Sequence, residues 1–167
     1  MVVLCAILGI VCIFDYVRGR IPNLFNVALA FWGMFERYQK CSLSGVGRYI
    51  LVLVVVLLVL YPLFRIGGLG GGDVKLLSVC AGFFPASKIF LFLFVSMLIS
   101  AVFSIIPLLK DHNIRERAAY FCSYCAAVVR SGKWQLYLPE RGGRRARGVC
   151  MSGPVLCSVL LYLGGVY

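Results

Sequence analysis

Ile89-Phe90-Leu91-Phe92-Leu93-Phe94-Val95-Ser96-Met97-Leu98-Ile99-Ser100-Ala101-Val102-Phe103-Ser104-Ile105-Ile106-Pro107-Leu108-Leu109 decides the class of fold. These twenty-one residues carry no charge and are bracketed by Lys88 and Lys110. As an α-helix such a run is ~31 Å long, the thickness of a bilayer's hydrocarbon core. The rest of the chain has the same character. It is 62% hydrophobic and 14% charged, where an ordinary soluble domain runs near half apolar and a quarter charged. The expected fold is therefore all-α: a polytopic integral membrane protein of about six transmembrane helices. With 167 residues, the whole chain, 1–167, makes one bundle and one domain.

Working back toward the N-terminus, a short fourth span is expected from Asp73 to Phe84, stopped by Pro85. A third, rich in Val and Leu, runs from Tyr49 to Phe64. A polar loop from Glu36 to about Arg48 separates it from a second, Leu24 to Phe35, with Trp32 and Tyr38 near its far end, where aromatic rings prefer the interface. Pro22, in Ile21-Pro22-Asn23, ends one helix and opens the next. Met1 to Phe14 is apolar but reaches only ~21 Å, so its helix must continue past Asp15 to Arg18 or Gly19. It lacks the basic start and small-residue cleavage site of a signal peptide.

Toward the C-terminus, Lys110 to Gly148 is the one long polar region. Ile114, Ala118, Phe121, Cys125 and Val128 recur there at helical spacing, which suggests an amphipathic helix in the membrane interface. Arg141 to Arg147 is a glycine-arginine loop suited to anionic lipid headgroups. The last span is Val149 to Tyr167, with Gly153-Pro154 near its start. There is no internal repeat and no soluble domain.

The net charge is +11. No nucleic-acid-binding module accompanies it, so the charge is read as loop charge that orients the spans. Loops after the first, third and fifth spans hold twelve Lys and Arg, against four after the second and fourth. This places the first set in the cytoplasm. Most of the eight cysteines lie in apolar segments and act as small hydrophobes. Cys122 and Cys125 form a single C-x-x-C, and with His112 the only histidine neither a zinc site nor a disulfide framework is indicated.

Only six residues are acidic. Asp73 follows the glycine-dense stretch Gly67-Gly68-Leu69-Gly70-Gly71-Gly72, and Asp15 closes the first span. An ionisable group at the mouth of a membrane span is costly and marks a functional site. Two spans separate the pair, so both fall at the same cytoplasmic face. Glu36 falls on the other side, while Asp111, Glu116 and Glu140 belong to the basic loop. Each aspartate has a plainer reading: Asp73 as a helix N-cap, Asp15 as a partner of Arg18 at i,i+3. Neither explains the concentration of glycine, which lets backbone approach a ligand closely. A phosphate loop is excluded, because Asp73 stands where its last glycine should be and no Gly-Lys-Ser/Thr follows.

Gly70-Gly71-Gly72-Asp73-Val74-Lys75-Leu76, with Asp15 ahead of Ile21-Pro22-Asn23, resembles the type IV prepilin peptidase family, the G-x-G-D intramembrane aspartic proteases of bacteria. The resemblance implies an inner-membrane endopeptidase that removes the basic leader of prepilins and pseudopilins at the cytoplasmic face. In such a protein Asp15 and Asp73 would be the catalytic pair and Gly70 and Gly72 would shape the loop. Pro22, Asn23 and Lys75 belong to the motifs, Lys75 either with a role in the site or as a lysine snorkelling to the interface. Two close carboxyls share a proton and need neither metal nor cofactor. Longer family members carry an inserted domain with paired C-x-x-C motifs and also methylate the new amino terminus. Here the loop after the first span is only a few residues, so peptidase activity alone is expected. Two other classes fit the residues: a small ion-coupled carrier or channel, and a scaffold subunit of a pilus or secretion machine.

Overall fold

The computed structural model describes residues 1–18, 22–66, 68–110, 123, 130 and 151–166. These form helices α1 (Val2–Arg18), α2 (Asn23–Arg65), α3 (Gly71–Ala81), α4 (Ala86–Lys110) and α5 (Ser152–Leu163). No strand occurs among the described residues. The expected amphipathic segment, Cys122, Cys125 and the arginine-rich loop lie outside them, apart from Ser123 and Arg130.

α2 is one run of 43 residues broken by non-helical backbone at Cys41 and Ser42. Ser42 has φ 54°, a conformation that side chains rarely adopt. The run doubles back there. Gly33 and Tyr49 would stand ~24 Å apart on a straight helix, yet a Cβ at Gly33 would lie 2.5 Å from the Tyr49 ring. Ser44 Oγ donates to the Cys41 carbonyl at 2.7 Å and braces the reversal. At Gly45 a Cβ would stand 2.6 Å from the Arg37 carbonyl oxygen, so only glycine lets the arms meet so closely. The loop expected over Glu36–Arg48 is thus mostly helix. Its polar residues are carried on helical turns, one pair of them joined by a Lys40–Glu36 ion pair at 2.6 Å.

α3 packs against α2, α4 and α5, and α1 packs against α5 and α2. Every residue of α3 from Leu76 to Ala81 is buried. A helix apolar on all sides belongs in a core, and α3 is the centre of this bundle. Leu4 and Leu8 of α1, Leu29, Val56 and Leu60 of α2, Phe92 of α4, and Val155 and Val159 of α5 close the core around it. Phe84, just past α3, stacks on Phe92 at 4.3 Å and meets Tyr162 edge-on at 4.7 Å. By contrast Phe90, Phe94, Leu98 and Val102 of α4 are exposed, as suits side chains facing lipid.

Among the described residues two helices, against the six expected for the whole chain, are long and apolar enough to cross a membrane: Asn23–Arg65 and Ala86–Ser104. The difference has several physical sources. The expected second and third spans are both present as the arms of the α2 hairpin, which enter that count as one run. The first helix is itself short, its apolar stretch ending at Val17. The fourth is an eleven-residue core helix, and the last shortens from Val149–Tyr167 to Ser152–Leu163. The expected continuation of the first helix past Asp15 is seen, since α1 runs to Arg18.

Candidate active site

Asp73 does not open its helix. Gly70 is the N-cap of α3, with φ −71° and ψ 146°, and Asp73 stands in the first turn. Its carboxylate turns back and accepts a hydrogen bond from the backbone N–H of Gly70. Gly70 in return accepts from the N–H groups of Asp73 and Val74, both at 3.1 Å. This is one half of a capping box, with the acid reaching back to the cap. The plainer reading of Asp73 is thereby partly realised: it helps to cap α3, from the third helical position.

The glycine requirement is now specific. A Cβ on Gly70 would lie 2.7 Å from Asp73 Oδ2, so the carboxylate occupies the space a side chain would need. Gly72 lies within the first turn, so helix rather than loop carries Asp73. Among the described residues the one glycine with positive φ is Gly165. Close approach, not unusual backbone, accounts for Gly70.

Asp15 sits in the last turn of α1 and is only 5% exposed. It lies at the same end of the bundle as Asp73, within range of that carboxyl's charge. The opposite end holds Glu36, paired with the Met1 amino group at 3.8 Å. The side chain of Arg18, the other suggested partner of Asp15, lies outside the described residues.

A third group enters from the far end of the chain. Ser152, fully buried at the start of α5, donates its hydroxyl to Asp15 Oδ2 at 2.7 Å. α5 packs on α1 here, and a Cβ on Gly153 would make an ordinary contact with Cys12 Sγ at 3.7 Å. Ser152 was not among the residues the sequence singled out. The neighbouring Gly153-Pro154 was the available signal, and it does not by itself point to a serine.

The remaining motif residues converge nearby. Pro22 is the N-cap of α2. Asn23 follows it, and its Oδ1 accepts a hydrogen bond from Lys75 Nζ at 3.3 Å. Lys75 therefore bridges to the hairpin instead of merely extending outward. Chemically, the site offers two carboxyls within electrostatic reach, one oriented by a hydroxyl and one by a backbone amide; Lys75, two residues beyond Asp73, points from another face of α3.

Within this helical membrane bundle, a matched family model settles the class of chemistry. Residues 2–105 match the type IV leader peptidase family. That covers more than half of the chain and both aspartates. The chain belongs to the type IV leader peptidase family and is a membrane peptidase. No curated relative and no solved structure matches it.

Proposed function

We propose that the chain is an aspartic endopeptidase of the bacterial inner membrane that cuts the basic leader from type IV prepilin-like and pseudopilin-like precursors at the cytoplasmic face. What supports this reading is that Asp15 and Asp73 lie within electrostatic range of one another in a chain of this family, with Asp15 buried and bonded to Ser152. In the proposed reaction the ionised carboxyl removes a proton from water as its oxygen attacks the scissile carbonyl carbon. The protonated carboxyl gives its proton to the carbonyl oxygen. The tetrahedral species then collapses, the C–N bond breaks and the amine leaves with a proton from the pair. Because two close carboxyls titrate as a unit, the roles belong to the pair. Ser152 holds the Asp15 carboxyl in one rotation, and Gly70 does the same for Asp73.

Peptidase chemistry alone is proposed, without N-methylation. The test is co-expression with a precursor that carries a basic leader before an apolar helix. Asp15→Asn and Asp73→Asn should each abolish cleavage while the protein still accumulates in the membrane. Full cleavage by either variant would overturn the reading. Flux through sealed vesicles with no proteolysis would favour a carrier instead.

The basic segment between Lys110 and Gly148 is assigned to anionic headgroups, since its charge would repel a cationic leader. Replacing Arg144, Arg145 and Arg147 together should weaken membrane localisation more than turnover. A collapse of turnover with normal localisation would contradict this.

A further inference from the structure

A groove of about 400 Å³ runs between the two arms of α2, with the first turns of α3 along its side. Val27 and Ala30 line it from one arm, Leu53 and Leu57 from the other. From Asn23 to Ala30 it follows the first arm for ~10 Å. Beyond Ala30 the arms close on each other, the Tyr49 ring filling the space at Gly33. The mouth, at the end of the bundle that holds the aspartates, carries Asn23 and Lys75. Neither aspartate lines the groove, so a guest at the mouth meets Lys75 and not a carboxyl.

The charge at this mouth is one-sided. Lys75 is exposed and forms no ion pair among the described residues. Its hydrogen bond to Asn23 Oδ1, at 3.3 Å, uses one of three ammonium protons. With its oxygen so engaged, Asn23 keeps its amide nitrogen as a donor. An ammonium and an amide donor thus stand together at the opening of an apolar slot. The outer rim of the slot is apolar as well, for Val27, Val54 and Leu58 are exposed. The complement of this arrangement is one molecule with an acidic acceptor group at its head and hydrocarbon behind it.

We infer that the groove holds an anionic phospholipid, its phosphate on Lys75 Nζ and Asn23 Nδ2 and one acyl chain laid along Val27, Ala30, Leu53 and Leu57. A transmembrane helix does not fit, since with its side chains it is 10–12 Å across and the arms are in contact just beyond Ala30. A free anion would leave the apolar walls without partner atoms. A zwitterionic headgroup brings a cation of its own beside Lys75, which like-charge repulsion opposes. A lipid so held ties the α2 hairpin to α3 two residues beyond Asp73. The inference goes beyond the peptidase reading and stands apart from it, because binding is measured without cleavage.

The test uses the full-length protein in phosphatidylcholine nanodiscs that contain a small fraction of phosphatidylglycerol with a photoreactive acyl chain. Irradiation should label Val27, Leu53 or Leu57, read as a ratio to the label on Phe94 and Leu98, which are exposed on α4 and report bulk lipid. Phosphatidylcholine with the same photoreactive chain should give a groove ratio about fivefold lower, the scale of one lysine at an anionic surface. Lys75→Gln should lower the phosphatidylglycerol ratio by a similar factor at an unchanged melting temperature, and Lys75→Arg should restore it. Leu53→Trp, which fills the slot, should remove label from Val27 and leave that on α4. Equal groove ratios for the two lipids, or an undiminished ratio in Lys75→Gln, would overturn the site. So would a photo-crosslinking residue at Leu57 that captures a second copy of the chain or a precursor protein in place of lipid.

Discussion

The two ends of α3 hold similar numbers of polar groups and use them in opposite ways. At its C-terminal end they are taken up in holding the helix. The last turn tightens, with Phe83 N–H bonded to the Cys80 carbonyl at 3.1 Å. That leaves the Val79 carbonyl to the Tyr49 hydroxyl, also at 3.1 Å. The guanidinium of Arg37 donates to the Gly82 and Phe84 carbonyls at 3.0 and 3.3 Å. Orphan carbonyls at a helix end need such donors, and a cation there also complements the helix dipole. The Tyr49 ring fills the space at Gly33 and Gly82 that a side chain on either would need, and meets Phe83 edge-on at 5.7 Å. At the N-terminal end the groups are less taken up: Asp73 lies within range of the Asp15 charge, and Asn26 has neither function met. One end is a fixture and the other the candidate site.

That contrast makes the consequences of substitution separable. The largest expected effect is at the chemical end. Asp15→Asn or Asp73→Asn should lower kcat by about 10³-fold or more, the scale of lost acid–base catalysis. Melting temperature should change little, since the carboxamide oxygen in Asp73→Asn can still accept from the Gly70 N–H. At the structural end, Tyr49→Ala should cost about 3–5 kcal/mol of stability, measured by thermal unfolding in detergent, while kcat per folded molecule stays within about threefold. A large kcat loss there at full stability would blur the two ends.

Ser152→Ala comes next. A hydroxyl that only fills space would leave the chemistry alone. A positioning hydroxyl should lower kcat about tenfold at constant KM and change the shape of the pH–rate profile, with Ser152→Thr restoring both. The smallest effect is expected from Arg37→Gln. It should destabilise by about 1 kcal/mol, the typical worth of a cation at a helix C-terminus, and leave kcat unchanged.

What could be read from the sequence follows from how local each signal is. α4 is written in its own residues, an uncharged run between two lysines, and it appears as Ala86–Lys110. The two aspartates stand out because acids are scarce, and the two helical passes counted between them agree with their lying at one end of the bundle. The reversal in α2 was not. Neither Pro nor Gly stands at Cys41-Ser42, and the flanking polar residues read as loop although they are helical. α3 looked like a span because its apolar run resembles one; that other helices enclose it is a property of the whole bundle. Ser152 was invisible for the plainest reason: it meets Asp15 across 137 residues of chain. Asn23 and Lys75 were each named from motifs, but their bond to each other exists only once the hairpin lies against α3.

The brevity of α3 has a bearing on biogenesis. Eleven residues reach about 16 Å, roughly half of the hydrocarbon depth, and two of them are charged. Such a segment partitions weakly into lipid by itself. It has to be ferried in as a passenger, shielded by the hairpin made before it and by the helices made after it. Asp73 therefore reaches its station only when the escorts on both sides have arrived.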